Sequence, residues 1–255
     1  MPELKIQFDP CNPAQFYACC GLAELAELAG NPSHSRFIVE SKRPRQAEFI
    51  LQTETVLDFG NVVENLKQAE YRPLRREKAE NPPQKDSIAP IEAVIFEQKV
   101  VLDWWLDDFH EKAKPLKCWA GQVTTQKLFS ELPKLLRTDA PSFAAEAFTS
   151  TRFGIDPRSA WVALDLGYSP NEQGQESQTY PLVELLGAFG LQGFRPAGSR
   201  AQGFDYHLWL SPLPCTVARL AAAQPWQGLR TAGYKFHLGE RGSYKVFCFS
   251  IQISS

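Results

Sequence analysis

Apolar and polar positions change period repeatedly along the 255-residue chain, and each change predicts an element. Leu4–Phe8 alternates, which suits a strand with one buried face. From Pro13 to about Ala29 the alternation stops. Phe16, Cys19, Cys20, Leu22, Ala23, Leu25, Ala26 and Leu28 cover nearly the whole circumference of a helix, and a helix apolar all round belongs in the interior. Asn12, Pro13 and Gln15 supply its start: proline at the first helical position needs no N–H partner, and Asn12 and Gln15 can satisfy orphan donors. Gly30-Asn31-Pro32 ends it.

Further on, Arg36–Glu40 and Glu48–Gln52 read as strands, and Thr55–Phe59 is a short apolar run. Asn61–Glu70 reads as a helix capped by Asn61. Ile91–Phe96 and Val100–Leu106 suit a hairpin closed by Glu97-Gln98-Lys99. Thr124–Arg137 has a helical pattern that Pro133 bends or breaks, and helical character resumes at Ser142–Phe148. Asp156-Pro157-Arg158 is a turn and Ala160–Leu164 a strand. Pro181 opens an amphipathic helix with Leu182, Leu185, Leu186 and Phe189 on one face, ended by Gly190 and Gly193. Phe204–Leu210 alternates, and Pro214–Ala223 is helical. Ala232–Leu238 and Tyr244–Ile253 pair through Gly239-Glu240-Arg241-Gly242. Two stretches are too polar to pack, Tyr71–Pro90 and Ser169–Thr179, and read as mobile insertions. No repeat of fixed period appears. The pattern predicts an α+β fold: a mixed or antiparallel sheet around a buried N-terminal helix. It forms one domain over residues 1–255 with insertions near 71–90 and 169–179, two lobes meeting near 140 being the alternative.

A formal net charge of −2 argues against a generally basic nucleic-acid binder but leaves local patches open. No run approaches the length of a membrane span, and MPELKIQFD is not a signal peptide, so a cytoplasmic location without membrane contact is the expectation. The six cysteines, at 11, 19, 20, 118, 215 and 248, form no C-x-x-C pair. Most lie in apolar runs and read as buried reduced thiols. No metal or cofactor is predicted. Asp107 and Asp108 are adjacent, so on a strand they point to opposite faces.

The cations offer more. Lys42, Arg43 and Arg45 crowd the loop between the second and third predicted strands. Arg72, Arg75, Arg76 and Lys78 follow Tyr71, which can stack on a base. Arg195 and Arg200 flank a small-residue loop, and Lys235, Arg241 and Lys245 fall on the C-terminal hairpin. Each set can approach phosphates, and each also reads as a solvated loop or a charged sheet edge. Two rival readings exist. One is a thiol hydrolase using Cys19 or Cys20 with His34, His110, His207 or His237, which requires an exposed thiolate. The other is a purely architectural subunit anchored by tryptophans at 104, 105, 119, 161, 209 and 226.

The stretch FDPCNPAQFYACCGLAELA resembles the opening of a small effector-complex subunit found with type I-G (formerly I-U) CRISPR systems, and related openings occur in Cas8-like subunits. FGIDPRSAWVALDLGYSPNEQG, TYPLVELLGAFGLQGFRP and the final RTAGYKFHLGERGSYKVFCFS resemble the same family. The resemblance implies a non-catalytic part of a CRISPR-RNA-guided, Cascade-like complex in antiviral defence. Its implied partners are CRISPR RNA and/or target DNA, Cas7-like and Cas5-like subunits, and a recruited Cas3 that degrades the DNA. In such systems base pairing reads sequence while protein contacts backbone and shape. The family offers no catalytic residue to carry over. Grouping with Cas8 or with the ferredoxin-like repeat-RNA subunits stays open.

Overall fold

A computed structural model describes residues 1–40, 42–74, 88–108, 112–119, 123–137, 142–149, 151–159, 177–241 and 244–253. In chain order the elements are β1 (Glu3–Phe8), α1 (Pro13–Leu28), β2 (Ser33–Val39), β3 (Ala47–Thr53), α2 (Phe59–Gln68), β4 (Glu70–Pro73), β5 (Ile91–Ile95) and β6 (Gln98–Leu102). Then come α3 (Thr125–Glu131), β7 (Ala147–Thr149), β8 (Ser177–Thr179), α4 (Pro181–Gly193), β9 (Ala197–Ser199), β10 (Gly203–Trp209), β11 (Leu213–Pro214) and α5 (Cys215–Ala223). The chain closes with β12 (Thr231–Phe236), β13 (Leu238–Arg241), β14 (Tyr244–Phe247) and β15 (Ile251–Ile253). The fold is α+β, and its ladders are antiparallel.

One four-stranded sheet has the order β1-β3-β2-β11. Because β3 inserts between β1 and β2, the unit β1–α1–β2 is a split β-α-β. A second sheet has the order β15-β12-β10-β9. The helix α1 is buried almost all round and touches both sheets, Phe16 meeting Phe37 of β2 and Tyr206 of β10. The Asn12 Oδ1 accepts the N–H groups of Ala14 and Gln15 at 3.0 and 3.3 Å. Gln15 reaches back to the Asp9 N–H at 2.7 Å rather than to that of Asn12, so the capping interaction spans a longer turn than the sequence implies.

Against α1 runs α4. The Ala14 carbonyl faces Gly187, the Tyr17 carbonyl faces Gly190, and Glu24 faces Gly193, so the two helices point the same way. The contact is reciprocal. A Cβ on Gly21 would collide with the Leu186 carbonyl oxygen, and one on Gly190 with the Tyr17 carbonyl oxygen. Only glycine lets two backbones approach this closely. Gly190 is therefore an interior packing residue and not a helix stop, and α4 is buried on every side rather than amphipathic. Phe16 carries the core onward, stacking on Tyr206 at 4.5 Å and meeting Phe37 at 5.5 Å. A second aromatic group, Trp104, Trp105, Trp119, Phe129 and Phe153, joins the same contiguous apolar cluster. Trp209 is buried too, while Trp226 is 41% exposed; Trp161 lies outside the described residues.

Several expectations change. The α2 helix starts at Phe59, capped by the Asp58 carboxylate on the Gly60 N–H, so Asn61 is not the cap. Glu70–Pro73 is a strand paired with β5, which removes Tyr71–Pro73 from the expected loop. Residues 75–87 fall outside the described residues, as do the Ala160–Leu164 strand and residues 169–176. Trp104 and Trp105 sit in a turn, not on a strand. Phe96 and Glu97 both have positive φ, 50° and 60°, as a two-residue hairpin turn demands. The helix expected over Ser142–Phe148 does not form: Ala147–Thr149 instead pairs with Ser177–Thr179, which also moves Ser177–Thr179 from loop to strand. The C-terminal hairpin divides into two ladders, β13–β14 and β12–β15, whose registers differ by one residue. Among the described residues no helix is long and apolar enough to cross a membrane.

Candidate nucleic-acid interface

The tip of the β2–β3 hairpin is a compact turn in which the Arg43 N–H bonds the Glu40 carbonyl and the Gln46 N–H bonds the Arg43 carbonyl. Lys42 is exposed and has no partner among the described residues. Arg43 is exposed as well, donating to Gln46 at 3.3 Å and lying 3.8 Å from Glu40. Arg45 is held firmly: its Nε and Nη2 both donate to Asp9 Oδ2, at 3.0 and 2.6 Å. Asp9 is itself fixed, because its Oδ1 accepts the Cys11 N–H at 2.9 Å, a turn typical of Asp. Arg43, Pro44, Arg45 and Gln46 line an open depression. The Arg45 guanidinium lies 4.8 Å from the ring centre of Phe249.

Most of the other predicted contacts are engaged elsewhere. Tyr71 is not free to stack: its ring packs on Phe129 at 5.0 Å and its hydroxyl donates to the Leu66 carbonyl at 3.0 Å. Burial pushes that hydroxyl's pKa well up. Arg72 is ion-paired with Glu70. Arg75, Arg76 and Lys78 lie outside the described residues. Arg195 donates to Asp103 at 3.0 Å, beside Gln192, whose side chain accepts from Asp103 and Trp104. That contact ties the end of α4 to the chain after β6. Arg200 pairs with Glu240, and Lys235 with Asp205 at 3.3 Å. Lys245 donates to the Pro115 carbonyl at 3.3 Å. Lys235 belongs to one sheet and Lys245 to another, so the cations of the C-terminal hairpin do not share one sheet edge. Arg241 takes part in the β13–β14 ladder opposite Tyr244.

Sequence reasoning missed Phe249 and Asp9. Within YKVFCFSIQI an alternating strand gives Phe247 and Phe249 the same side, yet Phe247 is fully buried and Phe249 is 44% exposed. The one-residue register change between the two ladders separates them, and no local signal announces it.

Below the surface lies a polar knot. Glu184 is fully buried and accepts the N–H groups of Gly154 and Asp156, each at 3.0 Å. Burial pushes its carboxyl up to about 7; the Asp156 N–H pulls it back, the Asp156 charge raises it, and Arg152 and the Gly154 N–H lower it. Asp156 in turn receives Arg158 and the Asn12 amide. The knot joins the starts of α1 and α4, and both of its carboxylates are buried.

Burial pushes the Cys19 and Cys20 thiols well above the ordinary range. The groups acting on Cys20 are Cys19, Cys215 and Glu24, with no histidine among them. His207 bonds the Ala222 carbonyl at 3.4 Å through Nδ1, and His110 lies outside the described residues. A scan against protein-family models finds no match for this chain, and comparisons with curated proteins and with solved structures also find none.

Proposed function

We propose that the chain is a non-catalytic, nucleic-acid-contacting subunit of a CRISPR-RNA-guided type I surveillance complex, of the kind its sequence resembles. In this reading it touches CRISPR RNA and/or target DNA through the Lys42–Arg45 tip and meets Cas7-like and Cas5-like neighbours elsewhere. One observation carries the reading furthest: two of the segments that bear the resemblance, through Asp156 and Ser250, meet the turn Asp9–Asn12, which bears it as well, beside that tip. The Asn12 amide donates to Asp156 at 3.0 Å. Tyr206 donates to the Pro10 carbonyl at 2.6 Å, and the Ser250 N–H to the Cys11 carbonyl at 2.7 Å. The tip thus rests on a heavily cross-braced part of the described chain, which suits a contact that positions a polyanion.

The architectural alternative has its own support. Arg72, Arg195 and Arg200 are neutralised by carboxylates, and Phe148, Leu220 and Trp226 are exposed apolar residues suited to protein partners. Filter binding of the full chain to single-stranded RNA and DNA, at about 50 mM salt where phosphate contacts are strongest, separates the two. The proposal expects binding that the paired change Lys42→Ala, Arg43→Ala weakens and Arg195→Ala, Arg200→Ala leaves nearly unchanged. Absence of binding, with purification free of nucleic acid, selects the architectural subunit.

A further inference from the structure

We infer that Phe249 is a stacking platform for one unpaired base, so that the tip takes single-stranded nucleic acid in preference to a duplex. The inference rests on the reading above and adds the ligand's strandedness. Its ground is the way the ring is held. On one side of it the Cys248 N–H bonds the His237 carbonyl at 2.9 Å, and on the other the Ser250 N–H bonds the Cys11 carbonyl at 2.7 Å. Ser250 is further pinned by the Tyr206 hydroxyl at 2.8 Å. With both neighbours anchored, the Phe249 ring is held at the surface, 44% exposed.

Arg45 then orients it. The guanidinium lies 4.8 Å from the ring centre, fixed by two bonds to Asp9. A phenyl ring with a cation on it and an accessible remainder is a surface on which a base of any identity can stack, because every base has a π-face. Lys42 and Arg43, exposed on the same turn as Arg45, are the cations available to the phosphates on either side of such a base. A duplex keeps its bases in the helical stack and offers none to the ring. Arg45 contributes orientation and little net charge, since Asp9 neutralises it.

Fluorescence anisotropy tests this with labelled oligo(U) and oligo(dT) of about ten nucleotides and a duplex of equal length, since stacking contributes base by base. For Phe249→Ala the expected result is a loss of about tenfold on the single strands, in line with removal of one stacked base, with duplex binding unchanged. Phe249→Trp should restore affinity, and its added fluorescence should be quenched by the oligonucleotide. Thermal melting of both variants should match the unaltered chain, because the ring is partly exposed. A loss on oligo(U) alone, or on oligo(dT) alone, supports the platform and assigns it to RNA or to DNA. If Phe249→Ala binds both single strands as tightly as the unaltered chain, the stacking inference falls and the proposed function stands. If the unaltered chain binds no oligonucleotide, both fall.

Discussion

A carboxyl shut away from water keeps its proton to a higher pH than one in solution, and Glu184 is such a group. Its ordinary value is 4.5 and its value in the fold is about 7. Between these the folded protein holds a proton that the unfolded chain has released, so stability falls as pH rises. The stabilisation is complete below pH 4.5, is lost as pH passes through about 7, and amounts to on the order of 3 kcal/mol. Denaturant melts at about pH 5, 6 and 7 should show this decline, and Glu184→Gln should flatten it. The variant should also be less stable at the acid end, because its amide nitrogen faces a backbone N–H where an oxygen stood. An unchanged slope in Glu184→Gln would assign the pH dependence to another group.

Between elements, the closest engagement described is that of α1 with α4. A Cβ added at Gly21 would lie 2.8 Å from the Leu186 carbonyl carbon, and one added at Gly190 the same distance from that of Tyr17. Both neighbours are backbone and cannot rotate away. Gly21→Ala or Gly190→Ala should each cost about 3 kcal/mol or more, at the upper end of overpacking. Moving the helices apart relieves both clashes at once, so the double variant should cost clearly less than the sum. Urea melts of the two single variants and the double variant measure this; strict additivity would mean the helices do not separate as a unit. The same contact explains a misreading. A glycine late in an apolar run looks like a helix end, and nothing in LLGAFGLQG tells a stop from a seat for another helix. Local signals served better at α1, where Asn12 and Pro13 mark the start and Gly30, with φ +67°, marks the end. They failed at Ser142–Phe148, where pairing with Ser177–Thr179 overrode helical propensity.

Across the whole molecule, a net charge of −2 conceals an uneven arrangement. Most of the predicted cationic contacts that the structure describes are already matched by carboxylates, so each such pair presents little net charge to a polyanion. Lys42 and Arg43 are the tip's least compensated cations. For two phosphate contacts on a single strand, log K should fall with log salt at a slope of about −1.4, and Lys42→Ala should reduce its magnitude by about 0.7. Titrations at several salt concentrations give the slope directly. A value steeper than about −4 would mean that cations beyond the tip, such as Arg75 and Arg76, also engage.

Short-range chemistry could be read along the chain: the α+β class, the buried rod from Pro13, the β2–β3 hairpin and its basic tip. Caps, turn residues and hydrophobic period act over a few positions, so linear order carries them. Three outcomes came only from folding: Gly190 as a packing contact, Arg195 and Arg200 paired with Asp103 and Glu240, and Phe249 standing beside Arg45. Those outcomes depend on partners tens to hundreds of residues away. Charge neutralisation and close packing are properties of neighbours in space, and one-dimensional order does not encode them locally.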